Sequence, residues 1–350
     1  MAAVTKAQAA GVARGSSWID RLTAAVDALP GSSLVVYAAA STAVFAIITI
    51  SQWVTGGYPV GTVSALHVVL ALLFGAWPWL VGRFNGAARS AIRRLPDDRL
   101  RDPSRRALLE HRLTALPATP TLLICLGGAA MNVGRFAFDP VEASRLIGVA
   151  PSSIPVLLAV FGAFGALGFA YVVKVVLLSW RIHQVLTNEV VVSLFGVAPL
   201  YAFSRLTATM AISMIGSILL VVVATPALLQ DAMGFAGATL AIAFATLAFF
   251  LPLAGAHGLL VGEKDRRLGL ARDTLQDAAS SLHDAIQKSD TQAMDPLQKA
   301  LAGVEVEQRM LERAPTWPWQ PDTFRWVVGA VMFPIVLYVV QLGISRVVER

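Results

Sequence analysis

Histidine, cysteine and carboxylate side chains could carry out chemistry in this sequence, but their spacing argues against a catalytic or metal site. The one cysteine, Cys125, lies within an apolar run and has no second thiol to pair with. No His-Glu-x-x-His, Cys-x-x-Cys or Gly-x-Ser-x-Gly motif occurs, and there is no glycine-rich phosphate loop. We therefore predict a protein that is not an enzyme and holds no metal or cofactor. The dispersed histidines are His67, His111, His183, His257 and His283.

The composition is that of an integral membrane protein. Of the 350 residues, 56% are hydrophobic and only 14% are charged, whereas soluble domains carry about 25% charged residues. The chain cannot present a water-facing surface over its whole length. This excludes a soluble enzyme, a disordered protein and a small disulfide-stapled scaffold.

Seven apolar stretches are long enough to cross a bilayer, which takes roughly 20 residues per helix. We therefore predict an all-α, polytopic helical membrane protein with about seven transmembrane helices. Seven of the eight tryptophans lie at or just beyond the ends of these stretches, where indole rings favour the headgroup layer. The predicted spans are residues 33–53, 62–82, 119–138, 154–180, 207–229, 234–262 and 326–345.

The distribution of basic residues predicts the orientation. Residues 54–61 carry no lysine or arginine, whereas residues 83–118 carry nine arginines, which are favoured on the cytoplasmic side. We expect a multi-pass protein of the plasma (inner) membrane, with a cytoplasmic N-terminus and the C-terminus outside. The arginines also predict binding to anionic membrane lipids. Nucleic acid is not expected as a partner, because Phe84 is the one aromatic residue in this segment.

Four regions follow from these spans. Residues 1–31 are predicted to be a cytoplasmic N-terminal tail with an amphipathic helix after Ser17, lying in the interface or packed on the protein. Residues 32–262 form a six-span region that includes the basic cytoplasmic loop 83–118. Residues 263–324 form a cytoplasmic helical hairpin, and residues 325–350 contain the seventh span and a short C-terminal tail.

The predicted hairpin has a coiled-coil pattern. From Leu268 to Ala285, leucine and alanine recur at alternating spacings of three and four, with charges between them. Two interpretations remain open. The two arms pack on each other and connect two spans, or seams from several copies associate as a homo-oligomer and make the hairpin an assembly or signal-relay device.

The middles of the predicted spans contain no Asp, Glu, Lys or Arg. Coupled transporters generally need such a group or an unwound polar site at mid-depth, whereas a pore does not. Lys174 is expected to extend to the headgroups. The candidate pathway or gating residues are His67, Asn132, Gly162, Gly165, Gly168 and Pro252. The alternative is a purely structural role for these residues: a hydrogen bond for the histidine and close helix packing for the glycines.

These features favour an oligomeric channel-like or facilitator protein without a charged intramembrane relay. The alternative is a non-catalytic membrane signal-coupling or assembly protein that acts through its cytoplasmic hairpin.

Overall fold

The computed structural model describes residues 16–95, 103–188, 194, 198–226, 232–288, 290–320, 322–333 and 336. These residues are helical apart from their connections and one isolated antiparallel bridge between Ser16 and Pro117. A 3-10 turn at Pro151–Ser153 precedes the seventh helix, and residues 322–333 are also helical. The helices are α1 (Trp18–Asp27), α2 (Ser33–Val54), α3 (Ala65–Arg93), α4 (Pro103–Thr114), α5 (Ala118–Phe138), α6 (Pro140–Ile147), α7 (Ile154–Asn188), α8 (Ala198–Ala224), α9 (Ala232–Gln287) and α10 (Thr291–Arg313).

Six of these helices (α2, α3, α5, α7, α8 and α9) are long and apolar enough to cross a membrane. The prediction of an all-helical, multi-pass membrane protein is therefore confirmed. The seventh predicted span, residues 326–345, lies mostly outside the described residues. Its described part is helical, and Val327 is buried against the core, but the count of seven stays a prediction.

Helix α7 occupies the centre of the bundle and packs against α3, α5 and α9. Its closest approach is to α5, where a Cβ atom added to Gly165 would overlap the carbonyl oxygen of Gly128. A Cβ atom at Gly128 would overlap the Phe169 ring. Only glycine fits at both positions, so the two backbones meet directly and gain the dispersion contact that replaces the hydrophobic effect inside a bilayer.

Helix α3 extends well beyond the predicted span 62–82. Its last turns bury Phe84, Ala88 and Ile92 against Leu109 and Leu113 of α4. The prediction ended early because arginines lower the hydropathy of a segment even where its apolar face is covered by protein.

Helix α8 begins earlier than predicted. The predicted span starts at residue 207, whereas residues 198–206 are already the first turns of α8. Pro199 is compatible with this because proline is tolerated in the first turn of a helix, where its missing N–H has no partner to lose. Residues 189–193 and 195–197 lie outside the described part of the chain.

Helix α1 packs on the protein, which is one of the two arrangements the sequence left open. Its N-cap is Ser17, as predicted. The sequence predicts an apolar face of Trp18, Leu22, Val26 and Leu29. Val26 is buried as expected, but Leu22 and Leu29 are exposed and Ile19 is buried in their place.

Helix α9 is one continuous helix of 56 residues that includes Pro252. Its polar second half and α10 pack against each other, with Ala271 and Leu311 buried. We call residues 263–313 the helix pair. A coiled coil between copies of this segment stays a prediction.

Candidate functional site

Helices α1 and α4 lie together at one end of the bundle, beside the last turns of α3. We call this end the arginine-rich face, and the end with residues 55–64 and 139–153 the opposite face. The Ser16–Pro117 bridge joins the start of α1 to the residues after α4. An exposed ion pair between Arg93 and Glu110, 3.6 Å apart, also links α3 to α4.

Two cations from α7 hold the end of α4. The Lys174 ammonium donates to the carbonyl oxygen of Thr114, and the Arg181 guanidinium donates to that of Ala115. The last carbonyls of a helix lack partners within the helix and lie at its negative end, so cations stabilise them. Lys174 is 0% exposed, so the expectation that it reaches the lipid headgroups was wrong.

Asp20 of α1 is the carboxylate in this cluster. Its Oδ2 atom accepts from the Leu116 backbone N–H at 2.7 Å and from the Ser17 hydroxyl at 2.9 Å. Its charge attracts Lys174 and Arg181, while Arg89 lies close enough to repel Lys174. The cluster thus contains one carboxylate and three cations: Asp20, Lys174, Arg181 and Arg89.

A polar cavity of about 1040 Å³ lies beside this cluster, between α1, α3 and α4. Its walls include Asp20, Arg21, Asn85, Arg89 and His111. Such walls can bind an anionic or hydrogen-bonding group. Among the described residues, no group of three or more His, Cys, Asp or Glu could hold a metal ion.

Most of the predicted pathway residues on α5 and α7 lie at helix contacts. The Asn132 amide donates to the Gly128 carbonyl oxygen of its own helix at 3.3 Å, and a Cβ atom at Gly165 would lie 2.7 Å from that amide nitrogen. At Gly162 a Cβ atom would contact Val133 at 3.4 Å, and at Gly168 it would lie 2.9 Å from the Trp77 ring. These contacts support the packing interpretation of the glycines.

The other two predicted residues lie elsewhere. His67 is 2% exposed near the start of α3, with its ring edge-to-face against Tyr58 at 5.8 Å and close to the Ile147–Gly148 backbone. Pro252 is buried within α9. Their contacts do not join them to Asn132 or to the glycines of α7, so the six residues do not form one site in the part of the chain that the structure describes.

A buried polar contact of Gln52 lies at the opposite face, and we call it the Gln52 latch. The Gln52 side chain donates to the Ser153 hydroxyl at 2.7 Å and accepts from the Ala150 backbone N–H at 2.8 Å. It is 1% exposed. The latch fixes the end of α2 to the turn that precedes α7.

An aromatic stack joins the helix pair to the bundle. The His257 ring of α9 stacks on Trp317 at 3.8 Å, and Trp317 stacks on Trp319 at 4.1 Å. Trp319 contacts Phe249 at 5.8 Å. We call these rings the aromatic junction. The sequence marked both tryptophans as residues of the headgroup layer, and it did not predict their contact with α9.

The cluster of Asp20, Lys174, Arg181 and Arg89 could not be found from the sequence. Asp20 and Lys174 are 154 positions apart, and nothing in the residues around either one indicates the other. No family model matches the chain, and no curated protein or solved structure is significantly similar to it.

Proposed function

We propose that this protein is a non-catalytic signal-coupling or assembly protein of the membrane that acts through its helix pair. The observation that carries the proposal is the continuity of α9. At 1.5 Å per residue its 56 residues extend roughly 84 Å, whereas the hydrocarbon core is about 30 Å thick. If the apolar half of α9 moved within the bundle, its polar half would move with it as a rigid body.

The contacts at the base of the helix pair support this proposal. The Lys264 ammonium donates to the carbonyl oxygens of Glu312 and Ala314 at the end of α10, at 2.6 and 3.2 Å. His257 contacts the Thr316 carbonyl oxygen at 2.9 Å, next to the aromatic junction. The end of α10 is thus fixed to α9 close to the bundle, so we infer that the two arms move together.

We expect the helix pair to associate with the helix pair of a second copy of the protein. Large apolar side chains on its surface support it, because solvated helices usually present polar residues outward. In this proposal the arginine-rich face and the helix pair are cytoplasmic. The exposed apolar residues are Leu270, Ile286, Val306 and Met310.

Hydrogen exchange tests the coupling. The full-length protein is placed in nanodiscs of short-chain or long-chain lipids, and amide exchange is measured in α10. We expect the change of bilayer thickness to alter exchange in α10 of the wild type, and K264M to reduce this response. K299M is the matched control, because Lys299 pairs with Asp295 on its own helix at 2.7 Å. Amide exchange in α10 that does not change with bilayer thickness, or an equal response in K264M and the wild type, would contradict the proposal.

An oligomeric channel-like or facilitator protein is the second candidate function. The absence of ionisable residues from the middles of the predicted spans favours it. The direct contact of α5 and α7 at Gly128 and Gly165 leaves no room for a path between these two helices, so a path would have to run elsewhere, for example between copies.

Ion and dye flux from liposomes distinguishes the two candidates. The purified protein is reconstituted, and flux is recorded under voltage, membrane tension and a change of pH. The coupling proposal predicts flux equal to that of protein-free liposomes. Reproducible flux that disappears with the K264M variant would favour the channel, since it would make the helix pair part of its gate.

A further inference from the structure

Three adjoining cavities run from the arginine-rich face along α3 to the surface between α2 and α3. The polar cavity of about 1040 Å³ shares Asp27, Gly82 and Gly86 with a neighbouring cavity of about 450 Å³. We call the smaller cavity the neck. The neck shares Tyr37 and Trp79 with a third cavity of about 550 Å³, which lies between α2 and α3 and which we call the groove.

The groove has the length and the chemistry of an acyl-chain site. Its walls are apolar apart from a few hydroxyls, and on α2 they extend from Leu34 to Phe45. Eleven helical residues rise roughly 17 Å, which is close to half of the roughly 30 Å hydrocarbon core. The groove is therefore about as deep as one leaflet.

Two buried polar side chains on these walls have unused hydrogen-bonding capacity. Asn85 lines the polar cavity and is 9% exposed, and Tyr37 lines the neck and the groove and is 6% exposed. The Asn85 carbonyl oxygen and the Tyr37 hydroxyl have no hydrogen-bond partner among the described residues. Native structures usually satisfy buried polar groups, so a polar group of a ligand would complete this site.

Arg21 and Arg89 on the walls of the polar cavity can pair with a phosphate, and Asp20 and Asp27 line the same cavity. Arg89 lies four residues after Asn85 on the same face of α3, and both residues line the polar cavity. Arginine pairs with phosphate through charge-assisted, often bidentate hydrogen bonds. Asp27 lies on the wall that the polar cavity shares with the neck, so we place the phosphate on the Asn85 and Arg89 side.

We propose that one glycerophospholipid binds in these cavities, with its phosphodiester in the polar cavity and an acyl chain in the groove. The ester-linked glycerol then lies in the neck near Tyr37. The site is built from α1, α2, α3 and α4, so the inference does not depend on the coupling function of the helix pair.

Native mass spectrometry of the full-length protein in detergent tests the headgroup part. The protein is titrated with phosphatidylglycerol, with diacylglycerol of the same chains, and with inorganic phosphate. We expect one phosphatidylglycerol to be retained, and R89Q to weaken its binding roughly tenfold through loss of a charge-assisted contact. R94Q removes the same charge from the C-cap of the same helix, outside the cavity walls, so it should bind as the wild type does.

The groove is tested with a matched pair of substitutions on α2. Ala38 lines the groove and Ala39 does not, although both are exposed. A38F should abolish retention of the lipid, and A39F should leave it unchanged. Y37F, which removes a hydroxyl without changing the fold, should weaken binding as well, and thermal unfolding identifies any variant that fails to fold.

Several results would overturn the proposal. Equal binding by R89Q, A38F, Y37F and the wild type would show that the cavities are not the site. Diacylglycerol that binds as tightly as phosphatidylglycerol would show that the phosphate is not recognised. Inorganic phosphate that binds alone and is unaffected by A38F would identify a free anion, instead of a lipid, as the ligand.

Discussion

Lys174 shows how a charge can be buried in this bundle at the level of single residues. Its ammonium has no access to solvent, and it is stabilised by the Thr114 carbonyl oxygen and by the charge of Asp20. We expect K174M to lower the free energy of unfolding by about 1–3 kcal/mol, because a buried carbonyl loses its donor. Thermal unfolding in detergent measures this effect.

A double-mutant cycle with D20N tests whether the two charges act together. Asparagine keeps an acceptor for the Leu116 N–H and loses the charge. Residues that interact directly show coupling of about 0.5–3 kcal/mol, so K174M should cost less in the D20N background. Strictly additive effects would mean that Asp20 does not stabilise Lys174.

Gly165 gives a second prediction at this scale. G165A should destabilise the protein by about 1–3 kcal/mol, because the added methyl group overlaps the Gly128 carbonyl oxygen. G127A is the matched control on α5, since a Cβ atom there has nothing within 4 Å. It should be neutral or slightly stabilising, as alanine in a helix interior usually is. Equal unfolding temperatures for both variants would refute the packing role.

The sequence indicated the packing role of Gly165 but not the role of Lys174. The spacing of Gly162, Gly165 and Gly168 marked a face for close helix contact, because small residues on one face of a span have few other uses. The role of Lys174 depends on residues from α1 and α4, which are distant in the sequence. A single sequence records local spacing well and pairs of distant residues hardly at all.

The Gln52 latch offers a prediction at the scale of elements. Q52L should speed amide exchange in residues 148–153, because the Ala150 N–H loses its acceptor and the turn before α7 loses its tie to α2. S51A is the control, since the Ser51 hydroxyl donates only to the Ile48 carbonyl oxygen of its own helix, at 2.7 Å. Unchanged exchange in Q52L would mean that the turn is held by other contacts.

Two of the predicted spans match their helices to within a residue or two, and the larger errors at α3 and α8 have a common cause. The predicted spans 33–53 and 119–138 match α2 and α5 closely, because each consists largely of a lipid-crossing segment. Helices α3 and α8 extend into regions where protein covers their apolar side, and a hydropathy profile does not detect that cover. Of the candidate site, the arginine-rich segment 83–118 was predicted, but the cavities were not, because they require the docking of α1.

The arrangement of the whole molecule predicts where its termini lie. Seven crossings would place the N-terminus and the C-terminus on opposite sides of the membrane, with the arginine-rich face in the cytoplasm. In intact cells, a tag at the N-terminus should therefore be protected from a membrane-impermeant reagent, and a tag at the C-terminus should be labelled. Equal accessibility of both tags would require an even number of crossings.

The contact between Asp20 and the Leu116 N–H joins residues that are 96 positions apart, and this has a consequence for biogenesis. Helix α1 is synthesised before α2 and α3, yet its partner Leu116 is made only after these two spans. During that interval α1 can contact α3, but it lacks the hydrogen bond that the Leu116 N–H donates to Asp20. Helix α1 thus completes its native contacts only after α2 and α3 have been made, and a bulky group attached beside it would interfere with maturation at this late step.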